Sequence, residues 1–276
     1  MKIITRFAPS PTGHLHLGHA YSALFAESKG TQFLVRMEDI DRDRCRSEFE
    51  KTILEDLTWL GLEWEKPIRR QSEHMADYAA ALRKLQNQNL LYPCFCTRKD
   101  IQNEINAAGH APHGPDGPIY PGICRRLDKR EQDDRIANGT PHAFRLKINE
   151  ASKIAGSLSW HDAEAGLQQA CPTIFGDVVL ARKDTPTSYH LAVTVDDHIQ
   201  DVTLVTRGQD LFTSTHLHRL LQALLGFEVP QYHHHRLLID HDGRRFAKRN
   251  QSVTLHDLRA KGYTRCQVLE LAEWSF

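Results

Sequence analysis

Two histidines follow a proline- and glycine-containing turn near the start of the chain, in the segment APSPTGHLHLGH (residues 8–19). His16 and His19 are three residues apart, so they share a face of the helix expected to begin there. A glycine-containing turn leading into a helix presents backbone N–H groups and the positive helix end, which bind phosphate. Gly13 and Gly18 would let a phosphate approach the backbone. The pattern indicates either a phosphate site whose imidazoles stabilise growing charge or an ordinary structural turn.

Two charged segments are candidates for the same site. RMEDIDRDR (residues 36–44) directly follows a predicted strand, at the carboxyl end where ligands bind in α/β sheets. RRFAKR (residues 244–249) comes late in the chain, on a predicted loop that could bring Lys248 to the phosphates. Each segment alone is also compatible with a solvated charged surface. Their order in one α/β chain favours a shared nucleotide site.

Three cysteines form a second candidate centre. Cys94 and Cys96 make a C-x-C pair, and Cys124 follows a stretch rich in glycine and proline. Three thiolates suit a tetrahedral Zn²⁺, and a structural zinc site needs a fourth ligand. The nearby candidates for that position are His110, His113 and Tyr120. General chemistry favours a histidine, and three unconnected buried thiols are the alternative to any metal site.

Alternating strands and helices must position these residues. The pattern predicts two buried strands, KIITRFA and TQFLVRME. It also predicts two helices, HAYSALFAESKG and the amphipathic RSEFEKTILEDLTWLG. A further helix is predicted from about residue 72 to 89. The alternation returns with IFGDVVLARKD, SYHLAVTVDD and DVTLVTRG, followed by the helix THLHRLLQALLG. This order predicts an α/β fold with a Rossmann-like, doubly wound parallel sheet.

The regular pattern is interrupted after LLYPCFCT, where GHAPHGPDGPIYPG cannot form regular structure. We therefore expect an inserted subdomain that zinc would hold together. A short helical region is predicted at the C-terminal end, with Thr264 and Gln267 as a capping box. The three histidines at 233–235 are expected to be solvated. We predict a first catalytic half at residues 1–93 and a zinc-binding insertion at residues 94–169. A second catalytic half follows at residues 170–232, and a loop with C-terminal helices at residues 233–276.

The composition narrows the class of protein. The chain has 276 residues, a net charge of zero and 40% hydrophobic residues, so it is not a strongly basic nucleic-acid binder. It has no long apolar run and no signal-peptide pattern, so we expect no membrane association. Six cysteines without an export signal indicate free thiols or metal ligands in a reducing compartment, and hence a cytoplasmic protein.

The two phosphate-site segments resemble the two signature motifs of class I aminoacyl-tRNA synthetases. RFAPSPTGHLHLGH resembles the first motif and RFAKR the second; Arg245 and Ala247 depart from the usual pattern, whereas Lys248 is kept. More narrowly, the chain resembles the catalytic part of glutamyl-tRNA synthetases. The segments that carry this resemblance, in order, are RMEDIDRDR, WLGLEWE, YPCFCT, YHLAVTVDDH and VTRGQDL.

The resemblance implies activation of L-glutamate with ATP, accompanied by Mg²⁺. The catalytic residues it implies are His16, His19 and Lys248. The implied ATP-binding residues are Pro9, His16, Gly18, His19 and Lys248. Glu38 would bind the glutamate ammonium group, and the remaining implied glutamate contacts are Arg6, Ser10, Tyr189 and Arg207. Since glutamate and glutamine are nearly isosteric, an arginine that faces the side-chain carboxylate must discriminate between them by charge.

The length resembles that of the short members of this family, which transfer glutamate to queuosine in the anticodon of tRNA(Asp). About 27 residues follow Arg249, too few for a helical anticodon-binding region. The short members also share the pattern C-x-C followed by Y-x-x-x-C, here YPGIC, which implies Tyr120 as the fourth ligand of one structural Zn²⁺. The expected partners are ATP, L-glutamate and tRNA(Asp) carrying queuosine, and we expect a monomer. The alternatives are a truncated synthetase that charges the tRNA 3′ end and a non-catalytic RNA-binding paralogue.

Overall fold

Parallel strands connected by helices form the framework of the molecule. The computed structural model describes residues 2–107, 113–238 and 253–274. Its strands are β1 (Ile4–Phe7), β2 (Gln32–Met37), β3 (Glu65–Arg70), β4 (Leu91–Cys94), β5 (His113–Gly114), β6 (Gly117–Pro118), β7 (Ala143–Leu146), β8 (Ser159–Asp162), β9 (Gly166–Gln169), β10 (Val179–Ala181), β11 (Leu204–Gly208) and β12 (Gln231–His235). Its helices are α1 (Leu17–Lys29), α2 (Ser47–Trp59), α3 (Met75–Asn87), α4 (Arg98–Ala107), α5 (Lys129–Ala137), α6 (Ile148–Ala155), α7 (Tyr189–Ile199), α8 (Ser214–Leu225), α9 (Leu255–Ala260) and α10 (Arg265–Leu271).

The first sheet has the order β1–β2–β3, and both pairings are parallel. All four residues of β1 are buried, as expected for a strand covered on both faces. Helix α1 provides the crossover from β1 to β2 and buries Leu17, Ala20 and Leu24, which recur at helical spacing along one face. The segments read from the sequence as strand, helix and strand are confirmed here, together with the α/β class.

The second sheet has the order β11–β12–β8–β9, in which β11 pairs in parallel with β12, and β12 in parallel with β8. Its edge strand β11 lies beside β1, where the N–H group of Thr203 donates a hydrogen bond to the carbonyl of Ile4 at 3.1 Å. The carboxyl ends of β1, β2 and β11 therefore open at one place. Strands β8 and β9 come from the part of the chain predicted as an insertion (94–169), yet they extend this sheet.

The cysteine-containing segment contributes to an antiparallel sheet with the order β10–β7–β4 and to the short β5–β6 hairpin. A small apolar cluster fills the space beside it; its buried members are Tyr92, Cys94, Phe95, Tyr120, Cys124 and Ala143. The sequence-based domain boundaries remain a prediction. In the described residues, no helix combines the length and the apolar composition that crossing a bilayer requires.

The C-terminal helices pack on α2 and support the first sheet. Both α9 and α10 begin with a capping box, which confirms the predicted Thr264–Gln267 pair. The expectation that the histidines at 233–235 are solvated was wrong for two of them. His234 and His235 are 2% and 5% exposed, because β12 runs between β11 and β8 inside the sheet.

Candidate active site

A cavity of about 490 Å³ opens at the carboxyl ends of β1, β2 and β11. This is the position at which open α/β sheets bind their ligands. Residues from six separate segments of the chain meet in its wall. The predicted site residues among them are Arg6, His16, Gly18, His19, Glu38, Tyr189 and Arg207.

One side of the cavity is the N-terminal end of α1. His16 is the residue immediately before the helix, and Gly18 and His19 lie in the first turn. The rings of the two histidines contact each other at a tilt of 32°, with their centroids 3.8 Å apart, and the backbone N–H of His16 donates to Nδ1 of His19 at 3.2 Å. Helix dipole, backbone amides and two imidazoles thus face the same cavity, an arrangement that suits phosphate groups.

Arg6 is held by a buried carboxylate. Its Nε and Nη2 donate to the two oxygens of Asp197 at 2.9 and 3.2 Å, and its Nη1 donates to the carbonyl of Thr206 at 3.0 Å. Arg36 donates to the same carboxylate at 2.8 Å. Burial would raise the pKa of Asp197, but the two guanidinium groups outweigh this and hold it below its ordinary value. Arg6 is therefore fixed in place and its charge is compensated within the protein.

Glu38 contributes negative charge to the cavity wall. It follows β2 directly, and Nη2 of Arg36 lies 3.4 Å from its Oε1. Burial raises the pKa of Glu38 above its ordinary value, and the nearby Arg36 and Arg6 offset this only in part. A buried carboxylate of this kind gains most from a cationic ligand, because an ammonium group would restore the interactions that burial removes.

Arg207 and Tyr189 also line the cavity. Arg207 donates to uncharged acceptors on three side chains, which are Thr215, His218 and His234. Tyr189 is the first residue of α7, and burial raises the pKa of its hydroxyl, so the group stays protonated and available for hydrogen bonding. These two residues thus present one guanidinium group and one neutral hydroxyl to the cavity.

Three other predicted site residues are not part of the cavity wall as described. Pro9 is buried, and its carbonyl accepts a hydrogen bond from the N–H of Glu38 at 3.0 Å, which places that acid at the strand end. Ser10 is exposed and lies beyond the lining residues. Lys248 lies outside the described residues.

The predicted metal ligands lie close together. The Sγ atoms of Cys94, Cys96 and Cys124 all lie within 4.8 Å of one another. The hydroxyl oxygen of Tyr120 is 3.4 Å from the Sγ atoms of Cys94 and Cys96, and it accepts a hydrogen bond from the N–H of Cys124 at 2.8 Å. Sulfur ligands of a tetrahedral zinc lie about 3.8 Å apart, so this donor set fits such an ion.

The charges around the cluster also favour a cation. Burial and the neighbouring thiols raise the pKa of Cys96 to about 12. Burial acts the same way on Cys94, but Tyr120 and Arg145 outweigh it and lower the pKa of that thiol. Three adjacent thiolates would need a divalent cation to remain ionised together. His113 is exposed and outside the group, and His110 lies outside the described residues.

The sequence pattern did not identify the residues that hold the cavity side chains in place. Asp197 and Arg36 lie within segments already noted, but their pattern shows only a helix and a strand. His218 was read as part of a leucine-rich helix, and His234 as solvated.

Comparisons with known proteins identify the family of the chain. The family model for the catalytic domain of class I tRNA synthetases (E and Q) matches residues 2–273. A protein of Rhodobacter capsulatus named Glutamyl-Q tRNA(Asp) synthetase is 45% identical, over 98% of this chain and 99% of that protein. A protein of the same name from Symbiobacterium thermophilum is 41% identical, over 93% and 81%.

Glutamate–tRNA ligases are also similar, but these proteins extend beyond the region that this chain matches. The glutamate–tRNA ligase of Hydrogenobaculum sp. is 36% identical over 94% of this chain, which corresponds to 55% of that protein. The crystal structure of a glutamate tRNA ligase from Elizabethkingia meningosepticum, in complex with its amino acid, matches with a TM-score of 0.76 and 28% identity. The match covers 95% of this chain, which spans about half of that solved chain (54%).

Proposed function

The chain belongs to the class I tRNA synthetases for glutamate and glutamine, and from this membership we propose that it activates L-glutamate with ATP and transfers it to queuosine in tRNA(Asp). One observation carries the activation step. The N-terminal end of α1, the largely buried Glu38 and the buried Arg207, which is paired with uncharged groups, line one cavity. The choice of acceptor rests on the relatives named Glutamyl-Q tRNA(Asp) synthetase, which match nearly the whole chain.

In the first step an oxygen of the glutamate α-carboxylate attacks the α-phosphorus of ATP. A phosphoanhydride bond breaks, pyrophosphate leaves, and glutamyl-adenylate is formed. Such a step depends on positioning and on stabilisation of charge. We propose that His16, His19 and the first turn of α1, with Gly18, hold the phosphates, and that Pro9 and Lys248 complete the ATP site. Mg²⁺ bound with ATP would neutralise part of the phosphate charge.

Glutamate selection uses the opposite charges of the cavity wall. We propose that Glu38 binds the ammonium group and that Arg207 binds the side-chain carboxylate through two parallel N–H groups. Arg6 is held by Asp197, so it presents an ordered donor surface on the same wall. Tyr189, together with Ser10, would supply neutral hydrogen bonds. The support for these roles is the shared cavity of Arg6, Glu38, Tyr189 and Arg207.

In the second step a hydroxyl of the queuosine cyclopentenediol attacks the carbonyl carbon of the mixed anhydride. An ester bond forms, the bond to phosphate breaks, and AMP leaves with the proton taken up by solvent. The cavity has to remain open to a stem-loop for this transfer. The expected partners are therefore ATP, L-glutamate and tRNA(Asp) carrying queuosine.

We propose that Cys94, Cys96, Cys124 and Tyr120 hold one structural Zn²⁺. The distances between their donor atoms support four-coordinate binding. Bound zinc would cross-link β4 to the segment around residues 120–124. It would have a structural role and take no part in glutamate transfer. Tyrosine is supported as the fourth ligand over His113, which is exposed.

The test of this function has two parts. In the absence of tRNA, the protein should catalyse glutamate-dependent exchange of pyrophosphate into ATP. It should then label tRNA(Asp) that carries queuosine at least about 100-fold faster than the same tRNA without it, since the attacking hydroxyl is absent there. Absence of exchange would contradict the activation step. Equal labelling of both tRNAs would instead favour charging of the 3′ end.

A further inference from the structure

The guanidinium group of Arg207 is surrounded by neutral acceptors. Its Nε donates to Nε2 of His234 at 3.0 Å, its Nη1 to Nδ1 of His218 at 3.1 Å, and its Nη2 to Oγ1 of Thr215 at 2.5 Å. All four side chains are buried, at 7% exposure or less. We call Thr215, His218 and His234 the neutral cage. Within the described residues, Arg207 forms no ion pair with a carboxylate, in contrast to Arg6 on the same wall.

The contacts determine where the protons of the cage lie. A guanidinium group has only donors, so the nitrogens of His218 and His234 that face it must be acceptors. The proton of His234 is then on Nδ1, which donates to Asp162 at 2.7 Å. The proton of His218 is on Nε2 and is donated to Nδ1 of His190 at 3.1 Å; His190 in turn donates to Asp116 at 3.0 Å. Each chain of hydrogen bonds therefore ends on a carboxylate placed beyond one or two imidazoles.

Burial keeps both imidazoles uncharged. It lowers the pKa of His218 well below its ordinary value, and the charge of Arg207 adds to this effect. Burial and Arg207 likewise lower the pKa of His234 to about 4, although Asp162 opposes them. At neutral pH the cage therefore orients Arg207 without neutralising its charge.

We propose that the neutral cage makes Arg207 specific for a carboxylate, by leaving an uncompensated positive charge and two unused N–H groups at the cavity. A guanidinium group has five N–H bonds, of which the cage takes three; one remains on each Nη atom. Two such bonds match the two oxygens of a carboxylate. The carboxamide of glutamine has only one oxygen to accept these N–H groups and no negative charge to balance the guanidinium group, so glutamine is rejected. Thr215, His218 and His234 act through Arg207 and are positioning residues.

This inference rests on the proposed activation of glutamate, and a matched pair of variants tests it. His218→Asn keeps an acceptor close to the position of Nδ1, whereas His218→Asp has the same shape and adds a charge. Glutamate and glutamine are compared in the pyrophosphate exchange assay. We expect His218→Asp to lower the ratio of kcat/KM for glutamate over glutamine by about 30-fold relative to His218→Asn, mainly through KM for glutamate. KM for ATP should change less than about twofold, since binding of ATP does not use Arg207.

The outcomes separate the two proposals. If wild-type protein shows no exchange with glutamate, the proposed function is wrong. If wild type is active and the two variants have the same glutamate-to-glutamine ratio, the cage serves only packing and the inference is overturned. If circular dichroism shows that His218→Asp does not fold, the same comparison is made with Thr215→Asp and Thr215→Asn, at another residue that contacts Arg207. A lower glutamate-to-glutamine ratio for Thr215→Asp than for Thr215→Asn would support the proposed role of the cage, and equal ratios would overturn it.

Discussion

The cavity and the cysteine cluster both bury polar groups, but they assemble them over very different distances in the sequence. Arg6 meets Asp197 from 191 residues away, and Arg36 meets the same carboxylate from 161 residues away. Cys96 and Cys124 are only 28 residues apart. The cavity therefore exists only when both sheets have formed, whereas the cluster depends on one local segment.

The two regions also differ in how their charge is balanced. Beside the cavity, the buried carboxylate of Asp197 is matched by two guanidinium groups, those of Arg6 and Arg36. In the cluster, Arg145 is the nearby cation; its guanidinium carbon lies 3.8 Å from the ring centroid of Tyr120. Asp197 is thus balanced by the protein's own side chains, whereas the cluster is a candidate for an added cation. Variants in each region should therefore affect different measurements.

The largest effect is expected from Cys96→Ser. A serine hydroxyl is a poor ligand for zinc, and a structural zinc site contributes on the order of 10 kcal/mol to binding. Zinc in the purified protein, measured by mass spectrometry, should fall from about one ion per chain to less than about one tenth. Exchange of pyrophosphate should fall less than about tenfold, because no cavity residue comes from the cluster.

Cys171→Ser is the matched control for that variant. Cys171 is exposed and outside the cluster, so its replacement should leave the zinc content unchanged. Wild-type protein without zinc, or equal zinc in all three proteins, would refute the metal assignment. Loss of exchange in Cys96→Ser as severe as its loss of zinc would show that the two regions are not independent.

A smaller but still large effect is expected from Arg207→Gln. This change removes the positive charge that would face the glutamate side chain while keeping a hydrogen-bonding group of similar reach. The value of kcat/KM for glutamate should fall about 1,000-fold, and KM for ATP should stay within about threefold. Exchange kinetics with each substrate varied in turn measure both. Equal losses for the two substrates would contradict the assigned role, and the zinc content should not change.

The same contrast explains what could be read from the sequence. The cysteine spacing is a local pattern, and the three thiols lie together as it suggested. Tyr120, which lies with them, was implied only by the family resemblance carried by YPGIC. His16, Gly18 and His19 follow from a strand that turns into a helix, which is local as well. The partners of Arg207 could not be predicted, because His218 and His234 meet only when α8 packs against β12.

A further buried carboxylate, Asp56 of α2, lacks the close pairing seen in the cavity. It is fully buried, its oxygens accept no hydrogen bond from the described residues, and Nη2 of Arg259 lies 3.3 Å away. Burial raises the pKa of Asp56 to about 7, and the charge of Arg259 only partly offsets this. If close, hydrogen-bonded arginine pairing is what keeps Asp197 ionised, Asp56, whose ion pair with Arg259 includes no hydrogen bond, should behave in the opposite way.

The smallest effect is therefore expected from Asp56→Asn, in the pH dependence of stability. Between the ordinary pKa and about 7 the folded protein keeps a proton that the unfolded chain has lost, so Asp56 stabilises the fold at low pH and this contribution disappears as the pH rises. One pKa unit is worth about 1.4 kcal/mol, so from pH 5 to pH 8 wild type should lose roughly 2–3 kcal/mol more than Asp56→Asn. Urea unfolding at both pH values measures this, with the exposed Asp43→Asn as control. Equal pH dependence in Asp56→Asn and wild type would mean that Arg259 compensates Asp56 as fully as Arg6 compensates Asp197.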